Sequence, residues 1–128
     1  MSGALLDTSV LIASDESGDL ALPDAAAISV ISLGELRAGV DRASGPVRRA
    51  RSARLSAIRA AFTALAVDEP IAERYGELLA VARDQGRSEK ATDLLVAATA
   101  SVTDRTLYTL DRRQAAFCAA AGLDAHAL

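Results

Sequence analysis

The chain has 128 residues, of which 51% are hydrophobic, and a formal net charge of −3 at pH 7. That length suits one domain with a full core, and no run approaches the roughly 20 apolar residues of a membrane-spanning helix. A net negative charge argues against indiscriminate coating of nucleic acid, and aromatics at 3% leave the core to Ala, Leu and Val.

Residues 3–7 read as a buried strand that ends on Asp7, because a short apolar run bounded by a polar residue is the strand pattern. A helix is expected from Thr8, fading in the polar stretch Ser14–Asp19. The N-terminus carries no positive leader, and Asp7 interrupts its apolar stretch, so no signal peptide is expected. Ala26–Ile31 read as a second strand. Ser32 is placed to cap the next helix, with Glu35 three residues on as its capping-box partner. Gly45-Pro46 is a break. A helix from Val47 to about Leu65 sets Leu55, Ile58, Phe62 and Leu65 on one face, and Val67 is assigned to a short strand.

Pro70 fits a first helical turn. Ile71, Tyr75, Leu78, Leu79 and Ala82 then mark an amphipathic helix closed near Gly86. Thr92–Val102 form an almost wholly apolar helix, which places it centrally. Thr106–Thr109 read as a buried strand, Asp111–Ala121 as a helix ended by Gly122, and Leu123–Leu128 as a last edge strand. Alternating strands and helices predict an α/β fold, with a mostly parallel central sheet covered on both faces. No repeat or linker divides residues 1–128.

Four acids stand where ionised groups are costly to bury: Asp7, Glu35, Asp93 and Asp111. In an open parallel sheet, ligands bind beyond the carboxyl ends of the strands. Asp7 and Asp111 follow strands, and Glu35 lies one turn into a helix after one. Asp93 joins them if the apolar helix begins beside the same edge. Each acid also has a plain structural reading. Asp7 and Asp111 suit helix N-caps, with Gln114 in the capping-box position after Asp111; Glu35 suits a partner of Ser32; Asp93 suits a helix dipole.

Together the acids suggest a hard-cation site for Mg²⁺, or Mn²⁺, with oxygen ligands only. His126 is the only histidine and Cys118 the only cysteine, so zinc and iron have no spaced ligand set. Cys118 sits in an apolar helical setting as a core residue, which fits a reducing cytoplasmic location. A carboxylate-held Mg²⁺ takes substrate phosphate as a further ligand, which makes phosphodiester hydrolysis the natural chemistry. Arg37, Arg42, Arg48, Arg49, Arg51, Arg54 and Arg59 fall in one stretch opposed only by Asp41; they suit either a solvated helix face or phosphate contacts.

At these residues the chain resembles PIN-domain ribonucleases, in particular the VapC toxins of bacterial VapBC toxin–antitoxin pairs. The likeness runs through Leu5-Leu6-Asp7-Thr8-Ser9, Ser32-Leu33-Gly34-Glu35-Leu36, Thr92-Asp93-Leu94-Leu95-Val96-Ala97-Ala98 and Tyr108-Thr109-Leu110-Asp111. Each motif alone is weak; their order and spacing are specific.

The resemblance implies a PIN-like three-layer α/β/α sandwich. It implies a Mg²⁺- or Mn²⁺-dependent endoribonuclease acting on RNA, held inactive by a VapB-type antitoxin and usually a homodimer. It also implies Asp7 and Asp93 as chief metal ligands, completed by Glu35 and Asp111, with Thr8, Ser9 and Thr109 orienting them. The family often has another acid shortly after the fourth; here Arg112, Arg113 and Gln114 occupy that stretch. Two rivals are a phosphoacceptor receiver-like domain, which wants an adjacent acid pair and a late lysine that this chain lacks, and an inactive PIN-like binding module.

Overall fold

The computed structural model describes residues 3–17 and 22–128. In chain order the elements are β1 (Ala4–Leu6), α1 (Thr8–Ser17), β2 (Ala26–Ser29), α2 (Val30–Asp41), α3 (Gly45–Ala61) and β3 (Thr63–Leu65). They continue with α4 (Glu69–Asp84), α5 (Ala91–Val102), β4 (Thr106–Thr109), α6 (Arg112–Ala120) and β5 (Ala125–Ala127). The five strands form one sheet in the order β3-β2-β1-β4-β5, every neighbouring pair parallel.

Strand alternation sorts the core into two layers. Leu5, Ala27 and Leu107 point to the face covered by α4, α5 and α6, where they pack with Ile71, Leu78, Leu94 and Phe117. Leu6 and Ile28 point to the other face, against Val10, Leu11, Leu36, Val40, Leu55 and Ile58 of α1, α2 and α3. The expected α/β/α sandwich is therefore present, with a wholly parallel sheet. Leu5 and Leu6 are both 0% exposed. Burying each stabilises by about 1.5–3 kcal/mol, and a one-residue slip would swap them between the layers. Register at β1 is thereby fixed, and so is the position of Asp7.

Three boundaries differ from the sequence expectation. The second strand stops at Ser29, and Ser29 caps α2 through its side chain, accepting from Ile31 N at 3.0 Å. Ser32 is not the cap; it is fully buried one turn into the helix. The helix through Leu55 and Ile58 ends at Ala61, because Phe62 turns extended (φ −124°, ψ 146°) and the chain enters β3 to pair with β2. Val67 lies outside any strand. For α1, Ser17 is the last helical residue described; Gly18 and Asp19 of the expected polar ending lie outside the described residues.

The C-terminal end of α6 behaves as read. Gly122 takes φ +84°, and the amides of Leu123 and Gly122 close on the carbonyls of Cys118 (2.8 Å) and Ala119 (3.1 Å), the Schellman arrangement that glycine permits.

The strand order has one reversal. From β1 the chain moves outward to β2 and β3; it then returns to the other side of β1 as β4 and continues to β5. The carboxyl ends of β1 and β4 flank that switch point, where open α/β sheets leave a crevice. Among the described residues, no helix is long and apolar enough to cross a membrane.

Candidate active site

Asp7 follows β1 at the switch point and is only 6% exposed. Its backbone extends the ladder, donating to the Tyr108 carbonyl at 2.9 Å, and its own carbonyl accepts the first bonds of α1 from Val10 and Leu11. The side chain does not cap the backbone. Oδ2 accepts the hydroxyls of Ser9 (2.7 Å) and Thr109 (3.0 Å), and Oδ1 receives no hydrogen bond from the described residues.

Those two hydroxyls are themselves anchored. Ser9 Oγ accepts from Leu110 N at 3.1 Å, and Thr109 Oγ1 from Asp111 N at 3.0 Å. The carboxylate is thus stapled across the β1–β4 seam by groups 102 residues apart. Charge-assisted hydrogen bonds of this kind offset much of the cost of burying the ion.

Glu35 is half-buried on α2, and its partner is not Ser32. Thr8 Oγ1 lies 2.6 Å from Glu35 Oε1 and 2.9 Å from Ser32 Oγ. One hydroxyl carries one proton, so Thr8 donates it to the carboxylate and accepts from Ser32. Asp111 is the N-cap of α6, its Oδ1 accepting from Arg113 N (3.0 Å) and Gln114 N (3.2 Å). Its structural reading therefore holds; Oδ2 is left outside the cap.

Gln114 does not return the capping-box bond. Its side chain turns inward, 3% exposed, with Nε2 3.4 Å from the Asp93 carbonyl and Oε1 3.5 Å from Thr109 Oγ1. Sequence reasoning did not place Gln114 or Ser32 in the site. The signal for Gln114 was its spacing: 114, 117 and 118 form one helical stripe whose other members, Phe117 and Cys118, are core.

Asp93 sits in the first turn of α5, whose N-cap, Lys90, supplies no side-chain bond. Its pKa rises from 3.8 to about 6. Burial is the largest cause, followed by the charges of Asp7 and Glu35, with Asp111 adding less and Lys90 pulling the other way. Asp93 therefore feels all three other acids, and the fold gathers the four at one edge. They are gathered without being closed: among the described residues no three acid, histidine or cysteine groups already stand together tightly enough to hold an ion. Like charges without a counter-ion are expected to keep such distance.

The arginine stretch splits. Arg37 and Arg48 share Asp41 on the surface, at 3.1 and 3.5 Å, and Arg51 donates to the Gly39 carbonyl at 2.9 Å to join α3 to α2. Arg54 has a buried Nε without a hydrogen-bond partner among the described residues. Cys118 is a buried core residue, as expected; burial first, then Glu89, Asp7 and Asp93, raises its thiol from 9.0 to about 11.

The structure is an α/β/α sandwich with an acid after β1, an acid on α2, an acid opening α5 and an acid capping α6. The PIN-domain profile matches residues 4–120, and the chain belongs to the PIN-domain family. Within it, the chain is 40% identical to Ribonuclease VapC8 of Mycobacterium tuberculosis over 101 residues, covering 77% of this chain and 90% of that protein. It is 33% identical to Ribonuclease VapC5 of the same organism over 127 residues, covering 96% and 93%. The crystal structure of VapBC-5 from Mycobacterium tuberculosis, a member of the VapBC family of toxin–antitoxin systems, superposes with a TM-score of 0.85 at 32% identity, covering all of both chains. That of VapBC2 from Rickettsia felis, bound to a DNA fragment from its promoter, gives 0.83 at 21% identity over 98% of each chain, a likeness of fold.

Proposed function

We propose that this chain is a divalent-cation-dependent endoribonuclease, the toxin of a type II toxin–antitoxin pair, with Asp7, Glu35, Asp93 and Asp111 as its acidic site. The observation that carries the site is the Asp7 carboxylate, buried after β1 and held by Ser9 and Thr109 across the β1–β4 seam; Asp93, raised to about 6 by burial and then by the other acids, supports it. Such crowding is relieved by a bound cation. The donors fit a hard one: all are carboxylate oxygens, and the hydrogen bonds to Asp7 from the described residues fall on Oδ2, which leaves Oδ1 open to a ligand. Asp7 and Asp93 would be the main ligands of Mg²⁺ or Mn²⁺, with Glu35 and Asp111 completing the pocket directly or through water.

When bound, such an ion neutralises charge on a phosphodiester and acidifies water. The chain's own residues do the rest. Ser9 and Thr109 hold Oδ2 of Asp7, which leaves Oδ1 for the ion. Thr8 holds Oε1 of Glu35, which leaves the other carboxylate oxygen to orient a water or take its proton. Asp111 spends one oxygen on α6 and keeps the other for the pocket. The α5 N-terminus adds partial positive charge beside Asp93, favouring an anion such as phosphate once the acids are neutralised. Arg112, next to Asp111 and exposed, is placed to meet a flanking phosphate.

The substrate is RNA, with an exposed loop as the form most open to specific reading. By likeness to the VapBC complexes, the partner is a VapB-type antitoxin; the homodimer rests on the family resemblance alone. Purified chain incubated with total cellular RNA tests the activity: cleavage should appear with Mg²⁺ or Mn²⁺, vanish in EDTA and vanish in Asp7→Asn. Cleavage that persists in EDTA, or in the variant, would refute this assignment.

A further inference from the structure

Resting on that reading, we propose that Arg87 is a positioning residue for the acidic site, one that sets the distance between the α5 turn carrying Asp93 and the α6 turn capped by Asp111. Residues 85–90 connect α4 to α5. Gly86 takes φ +66°, and the Arg87 amide closes back on the Ala82 carbonyl at 2.8 Å while Gly86 N reaches Arg83 O at 3.0 Å. The backbone of Arg87 is thereby fixed to the end of α4.

Its guanidinium then faces three ways. Nε donates to Glu89 Oε1 at 3.1 Å, in a pair whose side chains are 26% and 7% exposed. Nη2 reaches the Arg113 carbonyl at 3.5 Å, and the guanidinium carbon lies 5.1 Å from the centre of the Phe117 ring. Glu89 leads directly into α5; Arg113 and Phe117 belong to α6.

The position matters because α5, like α3, begins without a side-chain cap, whereas α2, α4 and α6 are capped by Ser29, Asp68 and Asp111 respectively. The first turn of α5 is therefore held from outside. Gln114 holds it by one long bond to the Asp93 carbonyl; the Arg87–Glu89 pair holds its lead-in. Arg113 links the two ends: its amide binds the Asp111 carboxylate, and its carbonyl receives Arg87. A planar fork that bonds in two directions while stacking on a ring does this as no lysine can. Glu89 also raises the thiol of Cys118 on α6, which puts its charge under that helix.

Mn²⁺ affinity of the whole chain, read by electron paramagnetic resonance, tests the proposal, together with hydrogen exchange at the Leu94 and Leu95 amides of the metal-free protein. Arg74→Met is the matched control. Arg74 also joins α4 to α5, through Ser101 Oγ at 3.1 Å, but at the far end of α5. Arg87→Met should weaken Mn²⁺ binding by about tenfold or more, the range for losing a partner that orients metal ligands, while Arg74→Met stays within about twofold of the parent. Arg87→Lys should recover part of the loss, and exchange at Leu94 and Leu95 should quicken only in the Arg87 variants. If Arg87→Met does not fold, Glu89→Gln, which removes the charge that holds the guanidinium, should move both readings the same way. Unchanged Mn²⁺ affinity in the folded variants, or an equal loss in Arg74→Met, overturns the proposal and leaves the nuclease reading standing. A parent chain that takes up no Mn²⁺ overturns both.

Discussion

Replacing Asp7 by Asn separates the acid's work in folding from its work in binding. The amide oxygen can take the place of Oδ2 and accept from Ser9 and Thr109, while the amide nitrogen occupies the place of Oδ1. Two effects on the metal-free protein oppose each other. Hydrogen bonds to a neutral acceptor are weaker, at a cost of about 1 kcal/mol over the pair. Repulsion among the acids is relieved. The pKa of Asp93 moves from 3.8 to about 6, each unit being worth about 1.4 kcal/mol. Burial takes the largest share, and Asp93 is only half-buried, so solvent screens the rest. Asp7 is the second cause, so the repulsion it adds is a fraction of that total and of the same order as the lost bonding.

The two effects nearly cancel. In EDTA the melting temperature of Asp7→Asn should lie within about 4 °C of the parent. The cation response is a different matter: at a hundredfold excess over Kd, a bound ion stabilises by about 2.7 kcal/mol, or roughly 10 °C here. The parent should gain that in Mn²⁺, and Asp7→Asn should gain nothing. Differential scanning calorimetry in EDTA and in Mn²⁺ decides. A variant that melts far below the parent in EDTA makes Asp7 a structural residue; one that rises with Mn²⁺ as the parent does removes it from the cation site.

Thr109→Val keeps the volume of a fully buried residue but strips one hydroxyl from Asp7 and orphans the Asp111 amide. It should cost about 3 kcal/mol in urea unfolding, with Thr109→Ser recovering most of it; equal stability of Val and parent would show that the seam is not held there. Asp93 has a folded pKa above its unfolded one, so the stability it contributes is complete below pH 3.8 and is lost as pH rises through about 6. Metal-free parent should therefore lose stability over that window relative to Asp93→Asn, and parallel melting profiles for the two would contradict the crowding. Cys118, buried with its thiol near 11, should resist alkylation at neutral pH until the chain unfolds; rapid labelling of native protein would place it at the surface.

Much of this was legible in the chain, and the illegible part has a consistent cause. Leu5-Leu6-Asp7 announced both a buried strand and an acid at its end, because the cost of burying a carboxylate makes it conspicuous. The alternation of elements announced the parallel sheet. Local chemistry alone does not fix the start of α2, because Ser29 and Ser32 are both acceptable caps. Pairing of Ser29 with Leu65 in the sheet and burial of Ser32 against Thr8 decide between them, and both are tertiary facts. The sequence pattern hides β3 for a similar reason: Leu65 continues the stripe of Leu55, Ile58 and Phe62, and only pairing with the edge of β2 pulls residues 63–65 straight. All four acids could be singled out from sequence. Their partners could not, since Thr8 meets Glu35 across 27 positions and Thr109 meets Asp7 across 102.

That last interval has a consequence during synthesis. At about 5–20 residues per second, roughly 5–20 s separate the making of Asp7 from that of Thr109. For that time β1 has an open flank, a template for stray pairing, and the carboxylate lacks its distant hydroxyl. The newborn polypeptide stays without its finished pocket until Thr109 and Asp111 have been translated.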